Sequence, residues 1–220
     1  MSVSYSGLLL ALSWFENSVW RVIAYVPPDH SGLSSLVNQA EDLSAGRKVM
    51  ERLGPAPIAR LDENLEDSVV LWPLQAANRY PSRFSDGRRY GLLYAALERE
   101  TALAETIRYY RRFFDDAGIP IGKAPRHRRG VFRFHVAELV ADTCKAASRE
   151  RRLVADDHAW CRGFGDYLAQ HLQSGLLYRS ARRREGSALA LLRPDHVSRV
   201  EWVESVEVYS AADQVEIAVI

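Results

Sequence analysis

The order of the strand and helix signals is the feature that most limits what this chain can form. Short runs of branched and aromatic residues, typical of strands, occur at 91–96, 131–136, 175–178, 188–192, 206–209 and 215–219. Apolar residues recur at helical spacing over 98–114 and 157–173. Because these helices do not alternate strictly with the strands, the pattern predicts an α+β fold rather than a parallel doubly wound sheet.

The N-terminal third carries a different pattern. Apolar residues recur at helical spacing from 34 to 66, interrupted by Gly46 and by the prolines at 55 and 57. We therefore expect a single domain in three parts: a helical elaboration over about residues 1–70, a core over about 71–200 and closing strands over about 201–220. The length of 220 residues suits one large domain.

Charge and hydropathy exclude several classes of protein. Apolar residues make up 47% and charged residues 26%, as in an ordinary globular protein. The net charge of +1 argues against a dedicated nucleic-acid binder. The apolar run at 7–15 ends at Glu16, far short of a membrane span, and no basic residues precede it as in a secretory signal. We expect a cytoplasmic protein without membrane contact.

The cysteines and histidines predict no metal centre. The two cysteines, Cys144 and Cys161, form no CxxC pair, so buried thiols are expected. His158 and Cys161, with His135, supply an incomplete zinc set. Only three of the 29 basic residues are lysines, so most of the positive charge sits on planar guanidinium groups suited to phosphate and carboxylate.

Three residues around the first strand and helix of the core are candidates for chemistry. Arg83 precedes a turn, Tyr94 ends the predicted strand and Glu105 lies on the helix that follows. Glu105 is rotated by about 200° from Leu103 on a 3.6-residue helix, which places it off the apolar stripe. Without further information, each would be interpreted as an ordinary surface or core residue.

Two sequence blocks change that interpretation. SRFSDG at 82–87, YGLLYAA at 90–96 and ETALAET at 100–106 form the first, and GLLYRSAR at 175–182 with the apolar residues up to Pro194 forms the second. In order and spacing they resemble the RES-domain family. The chain departs from the family pattern at Tyr109, where many relatives have histidine, and at EGSA over 185–188, where a Gly-Gly-x-Cys sequence is common.

The resemblance implies a fold, an activity and a partner. RES proteins are toxins of bacterial toxin–antitoxin pairs that consume NAD, and their single domain resembles the ADP-ribosyltransferase fold, with mixed or antiparallel sheets flanked by helices. NAD would be the substrate, with no cofactor, and inorganic phosphate would be a co-substrate where the bond is phosphorolysed. The expected partner is a helix-turn-helix antitoxin of the Xre type. That partner would supply the DNA affinity, and the resemblance leaves a homodimer within the complex open.

The resemblance also assigns roles to residues. Glu105 would stabilise the positive charge that develops on the ribose when the nicotinamide bond breaks. Arg83, joined by Arg21 as the match to an earlier family arginine, would hold the diphosphate. Tyr94 would offer a flat face to nicotinamide, and Ser180 a hydroxyl to the ribose or the amide. We expect Glu105, Arg83, Tyr94 and Ser180 to be catalytic, with Arg21 binding NAD.

Two alternatives remain open on the sequence. The same site could transfer ADP-ribose to a protein acceptor, which leaves no sequence signature. A non-catalytic interaction module with an altered pocket would account for the departures near Tyr109 and Ser187. The joint presence of four residues favours an enzyme: Arg83, Tyr94, Glu105 and Ser180.

Overall fold

The computed structural model describes residues 4–9, 12–26, 59–60, 65–75, 81–116, 118–124, 126–211 and 214–220. Most of the predicted helical pattern at 34–66 lies outside these ranges. Among the described residues, no helix is both long enough and apolar enough to cross a bilayer.

A seven-stranded mixed sheet forms the body of the protein, in the order β1-β4-β7-β6-β5-β8-β9. Its strands are β1 (Leu12–Ile23), β4 (Leu93–Ala96), β5 (His127–Asp142), β6 (Gly175–Arg179), β7 (Ser187–Leu191), β8 (Val197–Ala211) and β9 (Gln214–Val219). All neighbours in this sheet are antiparallel except the parallel pair β5 and β6. A short parallel pair, β2 (Tyr25–Val26) and β3 (Ala59–Arg60), stands apart.

The sheet closes on itself. Strand β1 pairs with β5 along its whole length, from Leu12 opposite Ala141 to Ile23 opposite Gly130, and also touches β4 where Trp20 faces Ala96. Strands β1, β4, β7, β6 and β5 therefore form a ring, from which β8 and β9 continue as an extension. The ring has an inner face and an outer face, and alternate residues of each strand point to one or the other.

Each face of the ring carries its own hydrophobic core. The inner core is built from Phe15, Val19, Ile23, Val69, Val70, Leu93, Ala95, Phe132, Phe134, Val136, Val140, Leu189 and Leu191. The outer core joins Leu92, Leu176, Tyr178, Ala188 and Ala190 to residues of two helices, α1 (Tyr5–Leu9) and α4 (Ala159–Gln170). Two further α-helices lie in the described part of the chain: α2 (Trp72–Gln75), preceded by a π-helical turn (Asp67–Leu71), and α3 (Arg99–Asp116).

The predicted α+β architecture is confirmed, as are the helices α3 and α4 and the strand segments of the core. Residues 12–23 require a correction, because they form a long strand within the region expected to be helical. The buried residues of this strand are Phe15, Val19 and Ile23, every fourth residue, and that spacing imitates the period of a helix. Strands β5 and β8 also extend well beyond their predicted apolar centres.

Candidate active site

A turn at residues 82–84 is held in place by the Tyr94 side chain. The Tyr94 hydroxyl accepts a hydrogen bond from the Phe84 backbone N–H at 3.1 Å and shares one with the Ser82 hydroxyl at 2.9 Å. Arg162 on α4 donates its Nε to the Ser82 carbonyl at 3.1 Å. Burial raises the pKa of Tyr94 to about 12, so the phenol keeps its proton near neutral pH. Strand β4 and helix α4 thus fix the backbone that presents Arg83.

The Arg83 side chain reaches from this turn to the segment 151–156. Its Nη1 donates to the Leu153 carbonyl at 3.1 Å and to the Ala155 carbonyl at 2.7 Å. Leu153 closes a 3₁₀ turn (Arg151–Val154) and is fully buried in the outer core. One nitrogen of the fork therefore anchors a loop, and the rest of the guanidinium is left for other partners.

Glu105 and Ser180 meet although 75 positions separate them. The Ser180 hydroxyl donates to Glu105 Oε1 at 2.6 Å. The Ser180 Oγ in turn accepts from the backbone N–H groups of Arg182 at 3.0 Å and Arg183 at 3.2 Å. Ser180 is buried directly after β6, and Glu105 is half-buried on α3. The carboxylate is thus oriented by a hydroxyl that a tight turn already holds.

A buried phenol, which the sequence interpretation did not single out, lies at the centre of these groups. Tyr178 on β6 packs edge-on against Phe84, with 4.9 Å between ring centroids. Burial raises the pKa of Tyr178 well above its ordinary value, and Tyr94 and Glu105 raise it further while Arg83 lowers it. Tyr178 and Tyr94 both belong to the outer core, and the charges of Glu105 and Arg83 are near enough to influence the phenol.

A group of arginines lies next to Glu105. Arg108 follows Glu105 by three positions on α3, so both project from the same side of the helix. Arg108 Nη2 lies 3.9 Å from Asp156 Oδ1, and Arg182 Nη2 lies 2.5 Å from the same oxygen. Arg182 most of all, then Arg108 and Arg83, hold the pKa of Asp156 below its usual range. These three arginines are called the arginine cluster below.

His158 borders the arginine cluster. Burial first, then the charges of Arg83, Arg112, Arg162 and Arg182, lower its pKa to about 4, so the imidazole is neutral at pH 7. Its Nε2 is buried and has no hydrogen-bond partner. Within the described ranges, no group of three or more histidine, cysteine or acidic side chains is placed to hold a metal ion.

Arg21 is not brought together with the other predicted site residues. It lies on β1 in the same alternation as Val19 and Ile23, which belong to the inner core. Its Nη1 donates to the Val69 carbonyl at 3.0 Å, and burial lowers its pKa to about 10. Tyr94 lies on the outer face instead. The sheet separates Arg21 from Tyr94 and from the buried phenol that Arg83 and Glu105 influence.

A groove of about 940 Å³ opens beside Ser180. Its lining comes from three segments and includes Cys144, Lys145, Val154, Arg179, Ser180 and Arg184. Burial raises the pKa of Cys144 to about 11, so this thiol is not a reactive thiolate. Of the predicted site residues, Ser180 lines this groove, whereas Glu105, Arg83 and Tyr94 do not.

The sequence places this fold and site in a known class. The model of the RES-domain family matches residues 58–211, more than half of the chain and the whole region that carries Arg83, Tyr94, Glu105 and Ser180. The chain therefore belongs to the RES-domain family, which confirms the resemblance found in the sequence.

A solved structure shares the fold. It comes from the crystal structure of the M. tuberculosis MbcT-MbcA toxin-antitoxin complex, with a TM-score of 0.52 and 12% sequence identity. The alignment covers 91% of this chain and 91% of that chain, so the similarity extends over the whole fold. No curated protein matches this chain.

Proposed function

We propose that this protein is the toxin of a bacterial toxin–antitoxin pair and that it consumes NAD by cleaving the nicotinamide–ribose bond. Membership of the RES-domain family and the fold shared with a chain from a toxin–antitoxin complex support the toxin role. The observation that carries the enzymatic role is the hydrogen bond of 2.6 Å from Ser180 to Glu105. It holds a carboxylate in a fixed direction on the helix that also carries Arg108 of the arginine cluster, one turn further along.

The chemistry assigned to Glu105 is electrostatic. When the glycosidic C–N bond breaks, its electron pair leaves with nicotinamide, which departs as a neutral molecule, and the ribose acquires oxocarbenium character. A carboxylate fixed near the sugar stabilises that charge more in the transition state than in bound NAD. The oxygen of water or phosphate then forms the new bond to the ribose, and with water a proton is released to solvent. Ser180 holds the carboxylate so that it need not reorient.

The diphosphate of NAD belongs with the arginine cluster in this proposal. Arg182 and Arg108 present guanidinium groups to Asp156, Arg108 from the helical turn that follows Glu105, and planar forks bind phosphate oxygens through paired hydrogen bonds. Arg83 contributes its charge and holds the 151–156 segment against the site through two carbonyls. Tyr94 fixes the turn of Arg83 through its hydroxyl and leaves its ring for contact with nicotinamide. Arg21, on the inner face, has no contact with the substrate in this arrangement.

The proposed partner is a helix-turn-helix antitoxin that covers the site. A toxin that destroys NAD must be restrained in its own cell. The near-neutral toxin is poorly suited to bind DNA alone, so the partner would supply that affinity. Gel-shift assays should show sequence-specific DNA binding by the complex and none by the isolated chain. Tight specific binding by the isolated chain would contradict this division of roles.

The deciding experiment compares Glu105→Gln with Glu100→Gln. Both remove one negative charge from α3, but Glu100 is an exposed residue of the first turn. Glutamine at 105 can still accept from Ser180, so folding should be kept while the charge is lost. We expect turnover of NAD to fall by about 10²–10³, with little change in the Kd of NAD measured by calorimetry. Glu100→Gln should match the wild type, and a fully active Glu105→Gln enzyme would refute the mechanism.

Expression without a partner separates the rival functions. We expect wild-type chain to deplete cellular NAD and stop growth, and Glu105→Gln to do neither. Growth arrest with unchanged NAD would instead indicate transfer of ADP-ribose to a protein. Unchanged NAD in growing cells would indicate a non-catalytic interaction module. Measuring whether phosphate accelerates turnover of purified enzyme distinguishes phosphorolysis from hydrolysis.

A further inference from the structure

The Asp156 carboxylate lies where several guanidinium groups converge. Asp156 Oδ1 is 2.5 Å from Arg182 Nη2 and 3.9 Å from Arg108 Nη2, and Arg83 is close enough to act on its charge. The Asp156 side chain is 65% exposed, whereas that of Arg182 is only 21% exposed. The exposed Asp156 carboxylate thus lies over the mostly buried guanidinium group of Arg182.

The cationic site has more donors than Asp156 can use. The Nε atoms of both Arg108 and Arg182 are buried and have no hydrogen-bond partner among the residues that the structure describes. A buried N–H without an acceptor is unfavourable, and each arginine fork has five N–H donors. A carboxylate offers two oxygens, whereas a diphosphate offers several oxygens and a larger negative charge. The unsatisfied donors therefore fit an anion larger than the one present.

We propose that Asp156 occupies the position of a substrate phosphate in the ligand-free chain, and that the incoming diphosphate displaces it from Arg182 and Arg108. This inference rests on the proposed function, because it assigns the phosphate subsite of the same active site. It makes Asp156 an internal competitor of the substrate.

The backbone around Asp156 is fixed on both sides, so only the side chain has to move. Arg83 holds the Ala155 carbonyl at 2.7 Å. Asp157 Oδ1 accepts from the Ala159 N–H at 2.9 Å at the start of α4. An ion pair whose carboxylate is exposed contributes little free energy, because water solvates the released group. A phosphate can therefore displace Asp156 without unfolding the loop.

The test measures binding of inorganic pyrophosphate to the full chain by calorimetry at low ionic strength. Asp156→Asn removes the competing charge, and we expect pyrophosphate to bind about tenfold more tightly. Asp195→Asn is the matched control, because it removes the same charge from an exposed position beyond the opposite end of β7, and its affinity should equal that of wild type. Asp156→Glu keeps the charge and should stay within about twofold of wild type. The gain should shrink in high salt, which screens exposed charges.

The opposite outcome is as informative. If Asp156 instead positions Arg182 for the substrate, Asp156→Asn will bind pyrophosphate equally or more weakly, and the inference is overturned. Asp156→Ser serves as a second removal of the carboxylate, with thermal unfolding to check that both variants are folded. The KM for NAD should fall in Asp156→Asn while kcat stays unchanged. If no variant consumes NAD but pyrophosphate still binds more tightly to Asp156→Asn, the proposed function fails and the displacement by an anion stands.

Discussion

Replacing Ser180 with alanine should reveal how strongly the site is tied to the stability of the fold. The Ser180 hydroxyl takes part in three hydrogen bonds, one donated to Glu105 and two accepted from the backbone of Arg182 and Arg183. Alanine leaves a carboxylate oxygen without its donor and two turn N–H groups without their acceptor. The residue is 6% exposed, so water can replace these partners only in part.

The magnitude follows from these bonds. A hydrogen bond to a charged group contributes about 1.5–3 kcal/mol and a neutral one about 1 kcal/mol, but the half-exposed Glu105 recovers some solvation. We expect a loss of about 2 kcal/mol in the free energy of unfolding, which lowers the Tm by about 4–8 °C in a chain of this size. Turnover of NAD should fall by about tenfold, because the carboxylate is no longer held in one orientation.

The assay is urea unfolding followed by circular dichroism, together with NAD consumption. Ser148→Ala is the control, since the Ser148 hydroxyl is exposed and donates only to the Lys145 carbonyl at 3.1 Å. It should cost less than about 0.5 kcal/mol. A double-mutant cycle of Ser180→Ala with Glu105→Gln should give a coupling energy of about 1 kcal/mol. A Ser180→Ala protein as stable as wild type, or a coupling energy near zero, would refute the reasoning.

Three further predictions test the surroundings of the site. Arg83→Lys should raise the KM for NAD about tenfold and leave kcat within about twofold, because an ammonium group cannot reproduce the planar fork of a guanidinium group. Steady-state kinetics measure both constants, and an unchanged KM would contradict this prediction. Gly165→Ala should lower the free energy of unfolding in urea by about 3 kcal/mol, because its Cβ would lie 1.8 Å from the Phe84 carbonyl oxygen. Gly163→Ala is the comparison and should cost less, because its Cβ would meet a movable tyrosine hydroxyl at 2.5 Å. Burial and a neighbouring arginine lower the pKa of His127 to about 4 in the folded protein. As the pH falls, His127 therefore becomes protonated in the unfolded chain before it does in the folded protein. The free energy of unfolding should therefore have its full value above about pH 6.5 and fall by about 3 kcal/mol towards pH 4, and His127→Gln should flatten that part of the pH profile.

The site residues that could be predicted are those embedded in local sequence blocks. The pattern around Tyr94 indicated a strand, the stripe from 98 to 114 indicated a helix, and both are present as β4 and α3. The buried residues of β1 recur at every fourth position, a spacing that does not indicate a strand. This strand forms by pairing with β5, whose residues lie more than 100 positions away in the sequence. Strand identity there is set by pairing and not by local preference.

Apart from Arg83, the arginine cluster and the Asp156 carboxylate could not be predicted. Arg182 stands in a run of three arginines and Asp156 in a polar loop, and each has the composition of a solvated surface segment. Only the fold brings them to Arg108 on α3, because these residues are close in space but far apart in the sequence. For Arg21 the short sequence match to a family arginine was plausible, but the residue lies on the face of the sheet opposite to Tyr94.

The placement of β7 between β4 and β6 governs when during synthesis the protein can acquire activity. Ser187–Leu191 is made after both of its neighbours, yet it is the strand that joins them. Until these five residues have left the ribosome, the ring stays open between β4 and β6, and the strands that carry Tyr94 and Tyr178 are connected only through β1 and β5. At the usual rates of translation, the interval between the first half of the site and its completion is several seconds. We therefore expect a nascent or truncated chain that ends before β7 to lack the proposed activity, and the proposed partner, if synthesised beforehand, to be present when the site closes.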